Sequence, residues 1–230
     1  MKLAVYTAYC GSPELSTFRP YELDNRYPHY FIYNFPGFMT TPRGMGWNMV
    51  YMETPVVSRE PVVSMMQSKI PKVLPHTFDE LKEYDFLLWV DDKVKLNLNN
   101  IEVLMQQMLE MDSPMAMSRH MSTDIQLKNG EYNVLFDLCT SMYQWRYRTD
   151  WDKMIQYITE EIDEGYTLRS KLYLRSTIIL RNMRHQDTIK INNLWYDHIL
   201  RCGPMCQISF HFVKQRFNNI CVLPDDIQEY

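Results

Sequence analysis

The sequence predicts an α/β fold, a mixed and mostly parallel sheet flanked by helices, with residues 1–230 forming a single domain. Three observations carry this. Apolar, β-forming runs alternate with helix-periodic stretches through the first half of the chain. One run, YDFLLWV, is continuously apolar, as expected of a strand buried on both faces. No linker-like stretch or charge run divides the chain, and its 230 residues suit one domain.

The elements follow in order. KLAVYTA, residues 2–8, is rich in β-formers and opens the chain as a buried strand. Residues 12–28 read as loop, with three prolines and alternating charge. HYFIYNF is a second strand. Residues 35–46 carry Pro36, Gly37, Pro42, Gly44 and Gly46 and read as a long turn. NMVYMET is a third strand. A helix over 58–69 has Ser58 as its cap and Pro61 in its first turn. YDFLLWV then runs into Asp91-Asp92. Asn99 or Asn100 caps a helix reaching Glu110, and MAMSR is a short strand. Thr149 caps a helix with Trp151, Met154, Ile155, Ile158 and Ile162 on one face, stopped by Gly165. Residues 171–181 are β-like. Asp187 caps a helix that turns Ile191, Leu194, Trp195 and Ile199 inward and ends at Gly203. Pro204 opens the next helix, MCQISFHFVKQRF, and NNICVLP is a short last strand.

Composition excludes several functions. Twenty-four basic and 28 acidic residues give a net charge of −4, which disfavours a bulk-basic nucleic-acid binder. The seven glycines form neither G-x-G-x-x-G nor a P-loop, and no nicotinamide, flavin or haem is expected. No G-x-S-x-G or H-E-x-x-H occurs, so hydrolase readings fare badly. Of five cysteines, Cys202 and Cys206 are spaced like neighbours on one helix face. Zinc would need a second pair, and reduced, buried thiols fit better. The opening stretch is too short and polar for a secretory signal. The longest uncharged run, 27–42, holds three prolines and a glycine. A soluble chain, cytoplasmic by default and without a membrane segment, is expected.

The strongest chemical signal is LLWVDDKVKL. A strand that ends in two carboxylates puts them where open α/β sheets bind ligands. There they either hold a divalent cation against a diphosphate or simply start a turn. Arg59 and Lys69 lie ten positions apart on the helix before it, followed by Lys72 and His76. Such cations grip phosphate, or else solvate a surface. Tyr6 and Trp47 are candidates to stack on a base or sugar. His198 and His211 read as packed core histidines.

Taken together, these segments resemble a GT-A-type nucleotide-sugar glycosyltransferase-like family found in plant mucilage and turgor-related proteins, with bacterial and large-DNA-virus relatives. KLAVYTA is similar to its opening strand. Arg59, Lys69-Ile70-Pro71 and Leu74-Pro75-His76 resemble its arginine, lysine–proline step and Pro-His. YDFLLWVDDKVKL resembles its "YDYxIWIDxxI" strand, with Asp91 at the acidic position, and MAMSRH its next strand, ending in His120. Residues 157–181 resemble its "Y…G…L…I-x-R" stretch. WYDHILRCGPMCQISFHFVK resembles its "W-x-x-x-I…D-Q-L-S-F-x-Y-V" ending, except that the acid falls on Cys206.

The resemblance implies a glycosyltransferase that moves a sugar from a nucleoside-diphosphate sugar to a hydroxyl of a glycan or glycoprotein. Tyr6, Thr7 and Ala8 would cradle the nucleotide, Arg59 and Lys69 would offset phosphate charge, and Asp91 and Asp92 would meet the diphosphate or sugar. Asp91 is the first catalytic candidate. Asp197 is the only nearby carboxylate to replace the acid missing at Cys206. A divalent metal, Mn or Mg, would rest on Asp91 with His211. Its dependence would be weak, because Lys93 stands where a D-x-D site has its second Asp. Two rival readings remain: a non-catalytic nucleotide- or glycan-binding module, and a metal-dependent nucleotidyl or phosphoryl transferase using Asp91 and Asp92.

Overall fold

The sheet is built from short apolar strands whose alternate side chains enter two separate cores. A computed structural model describes residues 1–12, 22–35, 40–120 and 130–229. Seven strands form the main sheet: β1 (Leu3–Tyr9), β2 (His29–Tyr33), β3 (Asn48–Tyr51), β4 (Phe86–Val90), β6 (Met115–Arg119), β9 (Leu174–Asn182) and β10 (Cys221–Leu223). Their spatial order is β10-β6-β9-β4-β1-β2-β3. All neighbours are parallel except β9, which runs antiparallel between β4 and β6. Two small antiparallel pairs lie outside the sheet: β5 (Lys95–Leu96) with β11 (Gln228–Glu229), and β7 (Tyr132–Asn133) with β8 (Arg169–Ser170).

β4 is fully buried, and its residues divide between the two faces as strand alternation requires. Leu87 and Trp89 join a core with Ala4, Tyr6 and Ile179, covered by α2 (Pro61–Val73), α7 (Thr188–Cys202) and α8 (Cys206–Val213). Phe86, Leu88 and Val90 join the opposite core with Val5 and Leu180, covered by α3 (Ile101–Glu110). A third cluster packs α4 (Leu135–Tyr143) and α6 (Trp151–Asp163) against α8 through Leu138, Met154, Tyr157, Ile158 and Phe212. Among the described residues, no helix is long and apolar enough to cross a membrane.

Several expectations are corrected. The long turn at 35–46 contains a five-residue helix, α1 (Thr40–Gly44). Ser58 does not cap α2: Glu60 is the N-cap, Pro61 the first helical residue, and the helix passes through Pro71 to Val73. Pro71 is tolerated because it falls in the last turn, where its ring strains only the helix end. Ile162 is exposed, and Glu161 takes the inward position beside it. Cys202 ends α7 while Cys206 starts α8, so the two are not neighbours on one helix. Two further helices have no counterpart in the expected set, α4 and α5 (Trp145–Arg148). α4 turns Asp137 and Ser141 inward beside Leu138, which erases the apolar periodicity. Of the loop expected at 12–28, residues 13–21 lie outside the described set.

Candidate functional site

The chain runs outward from β1 to β2 and β3, then returns to the other side of β1 as β4. That reversal leaves a crevice beyond the carboxyl ends of β1 and β4, the switch point where doubly wound sheets bind ligands. A cleft of about 470 Å³ lies there. Its walls are residues 8–12 at the end of β1 and just beyond, Arg59 and one face of α2, Trp89 of β4 with Asp91, Asp92 and Lys93 after it, and Arg146 and Tyr147 of α5.

Asp91 is fixed by its backbone before its side chain acts. Its N–H donates to Thr177 O of β9 at 2.9 Å, and its carbonyl accepts Val94 N–H at 2.9 Å, so it starts a turn. Its carboxylate also has work: Oδ1 accepts Lys72 Nζ at 2.9 Å and Trp89 Nε1 at 2.9 Å. The Lys72 side chain is 5% exposed and that of Asp91 23%, so the carboxylate keeps a face toward the cleft. Lys72 Nζ also lies 5.3 Å from the centroid of the Trp89 ring.

Burial would raise the Asp91 pKa, but Lys72, Lys69 and the Trp89 N–H outweigh it and hold the carboxyl below its ordinary value. Burial would lower Lys72, yet Asp91 and the Cys206 sulfur keep it above the usual lysine range. Lys69 is pulled down by burial and by repulsion from Lys72, opposed by Cys206 and Asp91. Burial pushes the Cys206 thiol up, but Lys69, Lys72 and the Ser176 hydroxyl, 3.1 Å from the sulfur, bring it below its ordinary value. Two crowded ammonium groups of the cleft thus share one carboxylate, with the buried Cys206 thiol beside them.

Arg181 anchors this centre from below. Fully buried, it donates from Nε to Asn192 Oδ1 (2.9 Å), from Nη1 to Tyr6 Oη (2.9 Å) and from Nη2 to the Lys72 carbonyl (2.8 Å). One guanidinium therefore ties β9, α7 and β1 to the end of α2 that carries Lys72.

The structure brings together Ala8, Arg59, Lys69, Asp91 and Asp92 and adds Lys93 to the same cleft. Five other candidate residues lie outside it, which corrects their placement. Tyr6 and Thr7 are buried and do not line the cleft; Tyr6 serves the Arg181 network, because its strand position turns it into the core. Asp197 is exposed on the outer side of α7, away from the cleft lining. His211 is 2% exposed; its Nε2 meets Thr167 O at 2.7 Å, and its ring packs 5.8 Å from Tyr173. It therefore does not join Asp91. Trp47 packs with Phe31 and Phe35 and cannot stack on a ligand. Lys72, which the sequence offers only as one more basic residue after Lys69, is the central cation. Its signal was the Lys69–Lys72 spacing of three, which shares a helix face once α2 is known to pass Pro71.

The residues present fit a divalent metal poorly. Among the described residues no three His, Cys, Asp or Glu side chains are grouped to hold one. A dication at Asp91 would also face the Lys72 ammonium. At 4 Å and an effective dielectric of about 20, that repulsion is roughly 8 kcal/mol.

Comparison with solved structures gives low sequence identity over nearly the whole chain. The WbbM bifunctional glycosyltransferase in its apo form is 10% identical with a TM-score of 0.51; the match covers 97% of this chain and 39% of that one. Mouse xyloside xylosyltransferase 1, also apo, is 12% identical over 97% of this chain and 85% of that one, with a TM-score of 0.49. Core-mannan synthase A from Aspergillus fumigatus, in a Mn/GDP form, is 11% identical over 92% and 69%, with a TM-score of 0.46. The likeness to WbbM concerns the fold alone, which is GT-A-like. No curated protein matches the chain in sequence. The profile of one family matches residues 47–224, from the strand before the cleft helix to the last strand of the sheet, and by that match the chain belongs to the TOD1/MUCI70 glycosyltransferase-like domain family.

Proposed function

We propose that this chain, acting as one domain, transfers a sugar from a nucleoside-diphosphate donor to a hydroxyl of a glycan or glycoprotein. The observation that carries the reading is the cleft at the β1/β4 switch point, where Lys69, Lys72, Lys93, Arg59 and Arg146 line the same walls as Asp91. Negative charge builds on the diphosphate as the sugar–phosphate bond breaks, and fixed cations facing it stabilise that change. Asp91, oriented through one oxygen by Lys72 and Trp89, turns its other oxygen to hydroxyls of the donor. The family and the fold support the same reaction class.

The test is transfer with a panel of nucleoside-diphosphate sugars and glycan acceptors. Asp91→Asn, whose amide oxygen can still accept from Lys72, should fold with reduced stability and lose about 30- to 1,000-fold in rate, or roughly 2–4 kcal/mol of transition-state stabilisation. Wild-type turnover by this variant would remove Asp91 from the mechanism. Donor binding without transfer or hydrolysis across the panel would instead favour a binding module, a reading supported by the thiol of Cys206 facing Lys69 where a carboxylate would be the reactive group.

A further inference from the structure

Resting on the nucleotide-sugar reading, we propose that the cleft takes the donor diphosphate without a divalent ion, with the Lys72 ammonium occupying the place against Asp91 that a metal would need. Three observations converge on this.

Lys72 is a fixed cation rather than a mobile surface lysine. Its Nζ is 2.9 Å from Asp91 Oδ1, and the same oxygen accepts the Trp89 indole N–H. Its backbone carbonyl accepts from Arg181 Nη2 at 2.8 Å, with Tyr6 Oη at 3.4 Å. A metal ion on that oxygen would displace the ammonium and leave it buried without its counter-charge, a costly arrangement.

Among the described residues that line the cleft, five are cationic and two, Asp91 and Asp92, are carboxylates. Lys69 lies one helical turn from Lys72, and the two repel each other. An anion between them relieves that repulsion, so the site is organised for a diphosphate before the ligand arrives.

The donor set points the same way. Lys93 follows the two carboxylates, so the turn offers an ammonium where a third oxygen ligand would serve a hard cation. Among the described residues no three metal-ligating side chains gather anywhere.

The experiment is calorimetric titration of the full chain with inorganic pyrophosphate, UDP and GDP, in excess chelator and in saturating manganese. At least one nucleotide should bind in chelator, with an affinity within about threefold of that in manganese. Lys72→Met should weaken binding of that nucleotide and of pyrophosphate at least tenfold in chelator. Manganese should recover part of the loss, since Asp91 is then open to a metal. Thermal unfolding of the variant checks that it folds. If it does not, Lys93→Ala and Arg146→Ala, which change residues at the cleft rim, should each weaken binding threefold or more in chelator. Binding that vanishes in chelator and returns with manganese would overturn the inference and leave the nucleotide-sugar reading standing. Absence of binding in both buffers, for these and for the remaining nucleoside diphosphates, would overturn both.

Discussion

Asp91 and His211 were both assigned to a metal by the sequence, and the structure gives them opposite surroundings. Asp91 is a carboxylate kept charged by two lysines. His211 is an imidazole kept neutral by burial, which lowers its pKa to about 4. Both depressions act in the same direction on stability. Between pH 6.5 and 4 the unfolded chain takes up a proton on this histidine that the folded chain refuses, so stability falls as pH falls through that window. The shift of His211 sets a ceiling of roughly 3 kcal/mol on its share. His198, also held near 4 by burial and by Arg216 and Arg201, adds to the trend. Asp91 contributes at lower pH, where its carboxyl protonates and its bond to Lys72 is lost. Denaturant unfolding from pH 7 to pH 4 should show this decline, and His211→Gln should flatten it. An equally steep decline in the variant would remove His211 as a cause. The acidic residue after an apolar strand was legible because strand ends in α/β sheets face the ligand crevice. The error at Tyr6 has a physical origin too: β-forming composition marks a strand but not which face each side chain takes, and one position turns a binding tyrosine into a core one.

At the scale of elements, α6 and the α7–α8 junction show where periodicity succeeds and where it fails. Met154 and Ile158 face the core as their spacing requires. Glu161 breaks the pattern: it is fully buried, 3.1 Å from Arg201 Nη1, 2.8 Å from Arg216 Nη2 and 3.5 Å from His198 Nδ1. Its partners come from α7 and from the turn after α8, more than thirty residues away, so a helical wheel has no means of showing them. Glu161→Ala should cost about 1–3 kcal/mol, because Arg201 and Arg216 lose their shared buried partner and keep only Glu160 and Glu164. A loss below 1 kcal/mol in chemical denaturation would mean that the network is open to water. The junction was legible through Gly203. Its φ is +99°, and a Cβ there would come within 3.0 Å of Asp150 Oδ2 and 3.2 Å of Asp150 Cβ. Gly203→Ala should therefore destabilise the chain by more than about 1 kcal/mol, with α8 and its first residue, Cys206, shifting relative to Lys69. Unchanged stability would show that the loop relaxes around the added methyl group.

The whole molecule explains why the site is assembled from distant parts. Alternating strands and helices made a parallel sheet legible, but the insertion of β9 between β4 and β6 depends on pairing across some ninety residues for β4 and sixty for β6. No local pattern encodes it, yet it sets the site: β9 supplies Thr177 O to Asp91 and Arg181 to the end of α2.

The cleft also draws on α5, a single turn joined to the rest by few contacts, with Trp145 63% exposed and Arg146 and Tyr147 turned to the cleft. Central strands should exchange their amide hydrogens slowly, and α5 quickly. A diphosphate seated between Lys69, Lys93 and Arg146 would bridge α2, the end of β4 and α5. Its effect should thus concentrate in α5, while β1 and β4, already at the limit set by global unfolding, gain only through total stability. At 100 times the dissociation constant that gain is about 2.7 kcal/mol. Hydrogen exchange with and without saturating UDP, read alongside thermal unfolding, checks both parts. Protection confined to the opposite face, around α3, would place the ligand on the wrong side of the sheet. A melting shift without slowed exchange in α5 would leave Arg146 out of the diphosphate site and restrict it to the lysines of α2 and the turn after β4.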